Sequence, residues 1–113
     1  MATVFVVQDP GPGRDFSTAL EYGSLFFLLD SSDRPSYGNV PTLQKLRSGL
    51  ANFSEDDFIV WAGGDPLSPV LVGTVLRELG LSRFRYLRWE RVRREGQRTG
   101  QGFYVPVTVQ LAS

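Results

Sequence analysis

Seven arginines fall between positions 83 and 98: Arg83, Arg85, Arg88, Arg91, Arg93, Arg94 and Arg98. They interleave with Phe84, Tyr86 and Trp89 and are followed by Phe103 and Tyr104. A guanidinium is a planar fork that grips carboxylate or phosphate, and aromatic faces accept stacked bases. A basic two-stranded ribbon with this alternation therefore suits an acidic protein surface or nucleic acid. The competing reading is protective: arginines blunt an otherwise adhesive edge hairpin, or pair with the chain's own acids.

A second chemistry is suggested by two glycine-rich turns. One holds Gln8, Asp9, Gly11, Gly13 and Arg14; the other holds Gly63, Gly64 and Asp65. Glycine lets backbone approach a ligand closely, a helix start offers free N–H groups, and Arg14 supplies an anion partner. The pattern contains neither a GxxxxGK[ST] nor a GxGxxG fingerprint, and Asp65 would repel a phosphate. Tight strand-to-helix turns need glycine and proline in any case. Asp9, Asp30 and Asp65 each follow an apolar run, the placement from which carboxylates converge on Mg²⁺ in phosphoryl chemistry. Turn and cap roles explain them equally well.

The chain has no cysteine and no histidine. That removes disulfides, thiolate and imidazole metal sites, a cysteine nucleophile and a histidine base. No cofactor is called for. The formal net charge of zero, from 12 basic and 12 acidic residues, conceals a separation. Residues 1–81 carry ten acids against five bases, whereas residues 82–113 carry the seven arginines against Glu90 and Glu95.

These groups must be positioned by a small framework. At 113 residues, 42% hydrophobic and 21% charged, residues 1–113 are expected to form one soluble α/β domain. The opening apolar run is too short for a signal peptide or a membrane span. Residues 3–8 (TVFVVQ), 25–29 (LFFLL) and 58–62 (FIVWA) read as strands, the latter two as covered on both faces. Residues 15–23 suggest a short helix. Leu43, Leu46, Leu50 and Phe53 mark an amphipathic helix entered at Pro41. Leu67, Val70, Leu71, Val75 and Leu79 mark another, capped by Asp65 before Pro66 or by Ser68 before Pro69, with Gly80 and Leu81 as its stop.

Residues 84–92 and 103–111 form the last two strands. Phe84 and Tyr86 share one face, Leu87 and Trp89 the other, with a bulge near Tyr86 or partial cover on both faces. Pro106 assigns the final strand to a sheet edge. Strands alternating with helices predict a small Rossmann-like sandwich: a mostly parallel five-stranded sheet, order 2-1-3-4-5, with a C-terminal antiparallel edge hairpin. The glycine loops would then meet where the strand order reverses.

The segments FVVQ, RDFSTALEYGSL, FSEDDFIVWAGGDP and YLRWERVR…GFYVPVTVQL resemble small uncharacterised proteins encoded in tailed-bacteriophage genomes. GGDP, Trp89 and Tyr104 match that pattern, which brings no catalytic role. The resemblance implies action in a bacterial host cytoplasm or in the virion. The leading expectation is a non-enzymatic module whose arginine hairpin binds an acidic protein or nucleic acid. The alternatives are a nucleotide-binding or Mg²⁺-dependent enzyme at the glycine loops, and a virion structural protein that adds the edge strand ending in Leu111, Ala112 and Ser113 to a neighbour's sheet.

Overall fold

The computed structural model describes residues 2–94 and 97–111, with Tyr37 and residues 92–94 and 97–101 described through their backbone alone. Strands β1 (Thr3–Gln8), β2 (Ser24–Leu29), β3 (Phe58–Val60), β4 (Arg83–Arg94) and β5 (Gln97–Gln110) form one sheet in the order β2-β1-β3-β4-β5. All neighbours are parallel except β4 and β5. The fold is thus the expected α/β sandwich with an antiparallel edge hairpin. Helices α1 (Asn39–Gly49) and α2 (Leu67–Glu78) and two 3₁₀ segments, Ser17–Glu21 and Pro35–Tyr37, connect the strands.

The strand order explains the layering. From β1 the chain steps to one side for β2, then returns past β1 to β3 and continues to β4. Crossovers of one hand must lie on opposite faces when the direction of travel reverses. Accordingly, α1 and α2 share one face, where Leu46, Leu50, Leu71, Val72, Val75 and Leu76 meet Phe5, Val7 and Ile59. The other face carries Phe16 and Ala19 of the Ser17–Glu21 region against Val4, Val6, Phe58, Val60 and Leu87. Covered on both faces, β1 and β3 are apolar without alternation. Across the helical layer, the Arg47 guanidinium donates two 2.9 Å hydrogen bonds to Glu78.

Two local expectations change, and one pair of alternatives is resolved. Residues 15–22 do not make an α-helix: Asp15 Oδ1 accepts the Ser17 N–H in a tight turn, and only a five-residue 3₁₀ segment follows. α2 begins at Leu67, with Asp65 Oδ1 accepting the Leu67 N–H. Pro69 is tolerated in its first turn because N–H groups there have no helical acceptor. β2 is not covered on both faces; it is an edge strand, and Phe26 and Phe27 remain 47% and 42% exposed. The stop of α2 is as expected, since Gly80 takes φ +82° and Leu81 N–H reaches back to Leu76 O.

Leu76 is fully buried in the helical layer, whereas Val70 on the same helix is 61% exposed. Leu76→Ala is expected to lower unfolding free energy by about 2–5 kcal/mol in urea titration. Val70→Ala should change it by less than about 0.5 kcal/mol. Equal effects of the two would contradict this placement of α2.

Candidate functional site

The two glycine turns do meet at the carboxyl end of the sheet, on either side of the β1–β3 junction. What joins them is a buried carboxamide. Gln8 is fully buried at the end of β1, and its Nε2 donates to Asp30 O at 3.1 Å and Asp33 O at 2.7 Å. Its Oε1 accepts the Asp65 N–H and the Ser68 hydroxyl, both at 3.0 Å. Both donors and both acceptor positions of the side chain are therefore used, tying the β2 exit and the α2 entrance to β1. Gly64, at φ +108°, passes so close over the Gln8 side chain that no Cβ would fit.

Asp65 is equally committed. Its Oδ1 accepts from Leu67 N–H at 3.0 Å and Ser36 Oγ at 2.8 Å, and its Oδ2 from Ser36 N–H at 3.1 Å. These bonds, led by the Leu67 N–H, hold its carboxyl below the ordinary value of 3.8. A fixed negative charge thus occupies the start of α2, and Pro66 and Pro69 contribute no N–H there.

The remaining strand-end acids serve their own turns. Asp9 Oδ1 accepts the Gly11 N–H, and Asp30 Oδ1 accepts the Ser32 N–H and hydroxyl. Serine hydrogen bonds, the hydroxyl first, lower the Asp30 carboxyl. Lys45 pairs with Asp33 at 2.9 Å and Asp30 at 3.6 Å. Among the described residues, no three carboxylates gather in metal-binding geometry. Between the turns lies an open cleft of about 340 Å³, lined by Pro10, Pro12, Gly13, Arg14, Gly63 and Gly64. Arg14 crosses it to donate to Ala62 O.

The arginines divide into two groups. At the start of β4, Arg83 Nε lies 3.7 Å from Glu55 Oε1. Arg85 packs over the Phe58 ring at 4.0 Å and donates to Asp56 O. Both therefore turn back onto the acidic body. Arg88 pairs with Glu90 on its own strand, and Arg91 is exposed. Arg93, Arg94 and Arg98 lie on strand backbone, while their side chains fall outside the described residues.

Register explains the division. β3 pairs with β4 only at Phe58↔Arg85 and Ile59↔Tyr86, but β4 pairs with β5 from Arg83↔Gln110 to Arg94↔Gln97. From Arg88 onward the hairpin overruns its neighbour as a two-stranded ribbon. Eight residues of β-structure from Leu87 to Arg94 span about 24 Å. The Cα radius of gyration, 14.5 Å, accordingly exceeds the roughly 13 Å usual for this length.

The faces alternate as expected, with Phe84 and Tyr86 toward the helices and Leu87 and Trp89 toward the other layer. The register runs unbroken through Tyr86. The irregularity lies instead between Arg91 and Arg93, where β5 carries the extra residues.

At the ribbon's root the Tyr22 hydroxyl donates to Tyr104 O at 2.9 Å. Trp89 meets the Tyr104 ring edge-on at 4.9 Å and lies across Gly102, where a Cβ would collide with the indole. Burial raises the Tyr104 hydroxyl above its ordinary value, with Arg14 opposing the shift. Sequence reasoning missed Ser36, Tyr22 and Gly102 as parts of this region, and named Ser68 as a cap rather than as a partner of Gln8. A polar Gln closing the apolar run TVFVVQ was the available signal for the latch.

Residues 2–110 match the family described as Phage Pam3 gp32-like protein. The chain belongs to that family. Neither the curated proteins nor the solved structures provide a match. Among the described residues, no helix is long and apolar enough to cross a membrane.

Gln8→Leu would leave the Asp65 N–H and the Ser68 hydroxyl without an acceptor, so a loss of about 2–4 kcal/mol is expected in urea unfolding. Retained stability would contradict the latch. The lowered Asp65 carboxyl contributes stability above its ordinary pKa that is lost as pH falls through its folded value. Asp65→Asn should therefore flatten the decline in unfolding midpoint below about pH 4, relative to the unsubstituted chain. An unchanged acid slope would remove Asp65 from that linkage.

Proposed function

We propose that this member of the phage family is a non-enzymatic binding module whose β4–β5 ribbon engages an acidic surface, of a protein partner or of nucleic acid. It would act in the host cytoplasm or within the virion. The observation that supports this reading is the overrun of β4 beyond β3. Arg88, Arg91, Arg93, Arg94 and Arg98 lie on a segment extended away from the acidic body, whereas Arg83 and Arg85 return to it. A hairpin needing charge only for protection or for internal pairing would not have to project. Basic two-stranded ribbons fit both acidic protein grooves and the DNA major groove.

A nucleotide site between the glycine turns draws support from the cleft's position at the strand-order reversal. The Asp65 charge at the α2 start counts against phosphate there.

Simultaneous Arg91→Glu, Arg93→Glu and Arg94→Glu is expected to weaken binding at least tenfold, with Arg83→Glu near neutral. The readouts are fluorescence anisotropy with labelled duplex and single-stranded nucleic acid over a salt series, and quantitative capture from infected-cell extract. A salt-dependent nucleic-acid signal would select that partner class. Capture of acidic protein alone would select the other. Binding unaffected by the triple reversal would overturn the ribbon assignment.

A further inference from the structure

The sheet has two unlike edges. The β5 edge carries Pro106 and belongs to the irregular, arginine-bearing hairpin, features that discourage strand addition. The β2 edge has none of them. Ser24, Leu25, Phe26, Phe27, Leu28 and Leu29 contain neither charge nor proline, and β2 pairs with β1 on one side alone. Its two half-exposed rings lie on opposite faces: Phe26 stands 5.6 Å from Phe5 on the helical side, and Phe27 stands 5.8 Å from Phe16 on the other. Beside them an open groove of about 510 Å³ runs along Pro41, Gln44 and Ser48 of α1.

We infer that β2 is a self-association edge, taking β2 of a second copy of this chain in antiparallel register. A free row of backbone N–H and C=O groups calls for a strand. Apolar exposure on both faces narrows the choice further: an occupant of the α1 groove, which Phe26, Phe27 and Leu28 line, would meet β2 from the helical side, whereas the Phe27 ring packs beside Phe16 on the other. A strand has side chains on both faces and covers both.

The sequence of β2 is complementary to itself under a two-fold axis. Opposed residues of an antiparallel pair share a face, so an axis at Phe27 sets Phe27 against its copy, Phe26 against Leu28 and Leu25 against Leu29. The opposed positions from 25 to 29 are then all apolar, with Leu28 and Leu29 already covered within each protomer and the new contact made chiefly by Phe26 and Phe27; Ser24 lies opposite Asp30. Two rings with slightly under half of roughly 200 Å² each exposed contribute about 180 Å² per protomer. With six residues of strand edge and the α1 flank, this fits an interface below about 1,200 Å² in total, the size of reversible contacts. The dimer therefore forms with concentration and is not a condition of folding.

Sedimentation velocity from about 1 to 200 μM is expected to pass from monomer to dimer, spanning the micromolar affinities of small interfaces. Phe27→Lys and Phe26→Lys, each checked for native circular dichroism, should weaken association at least tenfold. Hydrogen exchange on the unsubstituted chain gives an independent reading: β2 amides should be slower in the concentrated sample, with β5 amides unchanged. A monomer throughout the range overturns the inference, including one that captures only a foreign strand on β2. So does a dimer whose β2 amides exchange at the monomer rate. Failure of either lysine variant to fold leaves the exchange comparison decisive.

Discussion

A carboxamide can satisfy four hydrogen-bonding positions at once, and at the end of β1 the side chain of Gln8 does so without contact with solvent. Buried polar groups cost free energy unless paired, so the loops carrying Asp30, Asp33, Asp65 and Ser68 are held together by a shared penalty for separation. The rest of the carboxyl end is arranged around that constraint. Gly64 must lack a side chain where it crosses Gln8, Asp65 must turn its carboxylate toward Ser36 and the α2 start, and α2 is thereby set over the sheet. The topological position that often receives a ligand is here filled largely by the protein's own polar side chains, with a shallow cleft left beside Arg14.

At β4 the same framework separates the arginines that fold back onto the body from those carried along the ribbon. Arg83 and Arg85 stand level with the acidic loop that precedes β3 and are drawn to Glu55, Asp56 and the Phe58 ring. Beyond the last β3 pairing the strand continues with only β5 as partner. Its root is braced by Tyr22, Trp89 and Tyr104, packed where Gly102 leaves room. The length of β4 relative to β3, rather than the number of arginines, makes an extended basic ribbon.

Much of the framework was legible because it follows from local rules. The apolar run of β3 requires cover on both faces, Pro106 requires an edge, and Gly80 with Leu81 requires a helix stop; each appears where expected. The failures share a physical origin. LFFLL looks like a covered strand, but cover depends on how many elements fit outside it, and β2 has none beyond its edge. Ser68 and Asp65 were both candidate caps in sequence, with Ser68 before Pro69 avoiding a proline deeper in the helix. Only the nearby Gln8 Oε1, 60 residues away in the chain, gives Ser68 a different partner and leaves capping to Asp65.

By itself, then, the sequence determined the strand order, the opposite faces of Phe84 and Tyr86 and of Leu87 and Trp89, and the chemistry excluded by the lack of cysteine and histidine, because periodicity, turn residues and side-chain chemistry act over short distances. The tertiary structure decided which arginines fold back onto the acidic loop before β3, which glycine loop is closed by a buried glutamine, and which sheet edge remains apolar and open. Those outcomes depend on where strands begin and end relative to one another across the sheet, and no local pattern encodes that register.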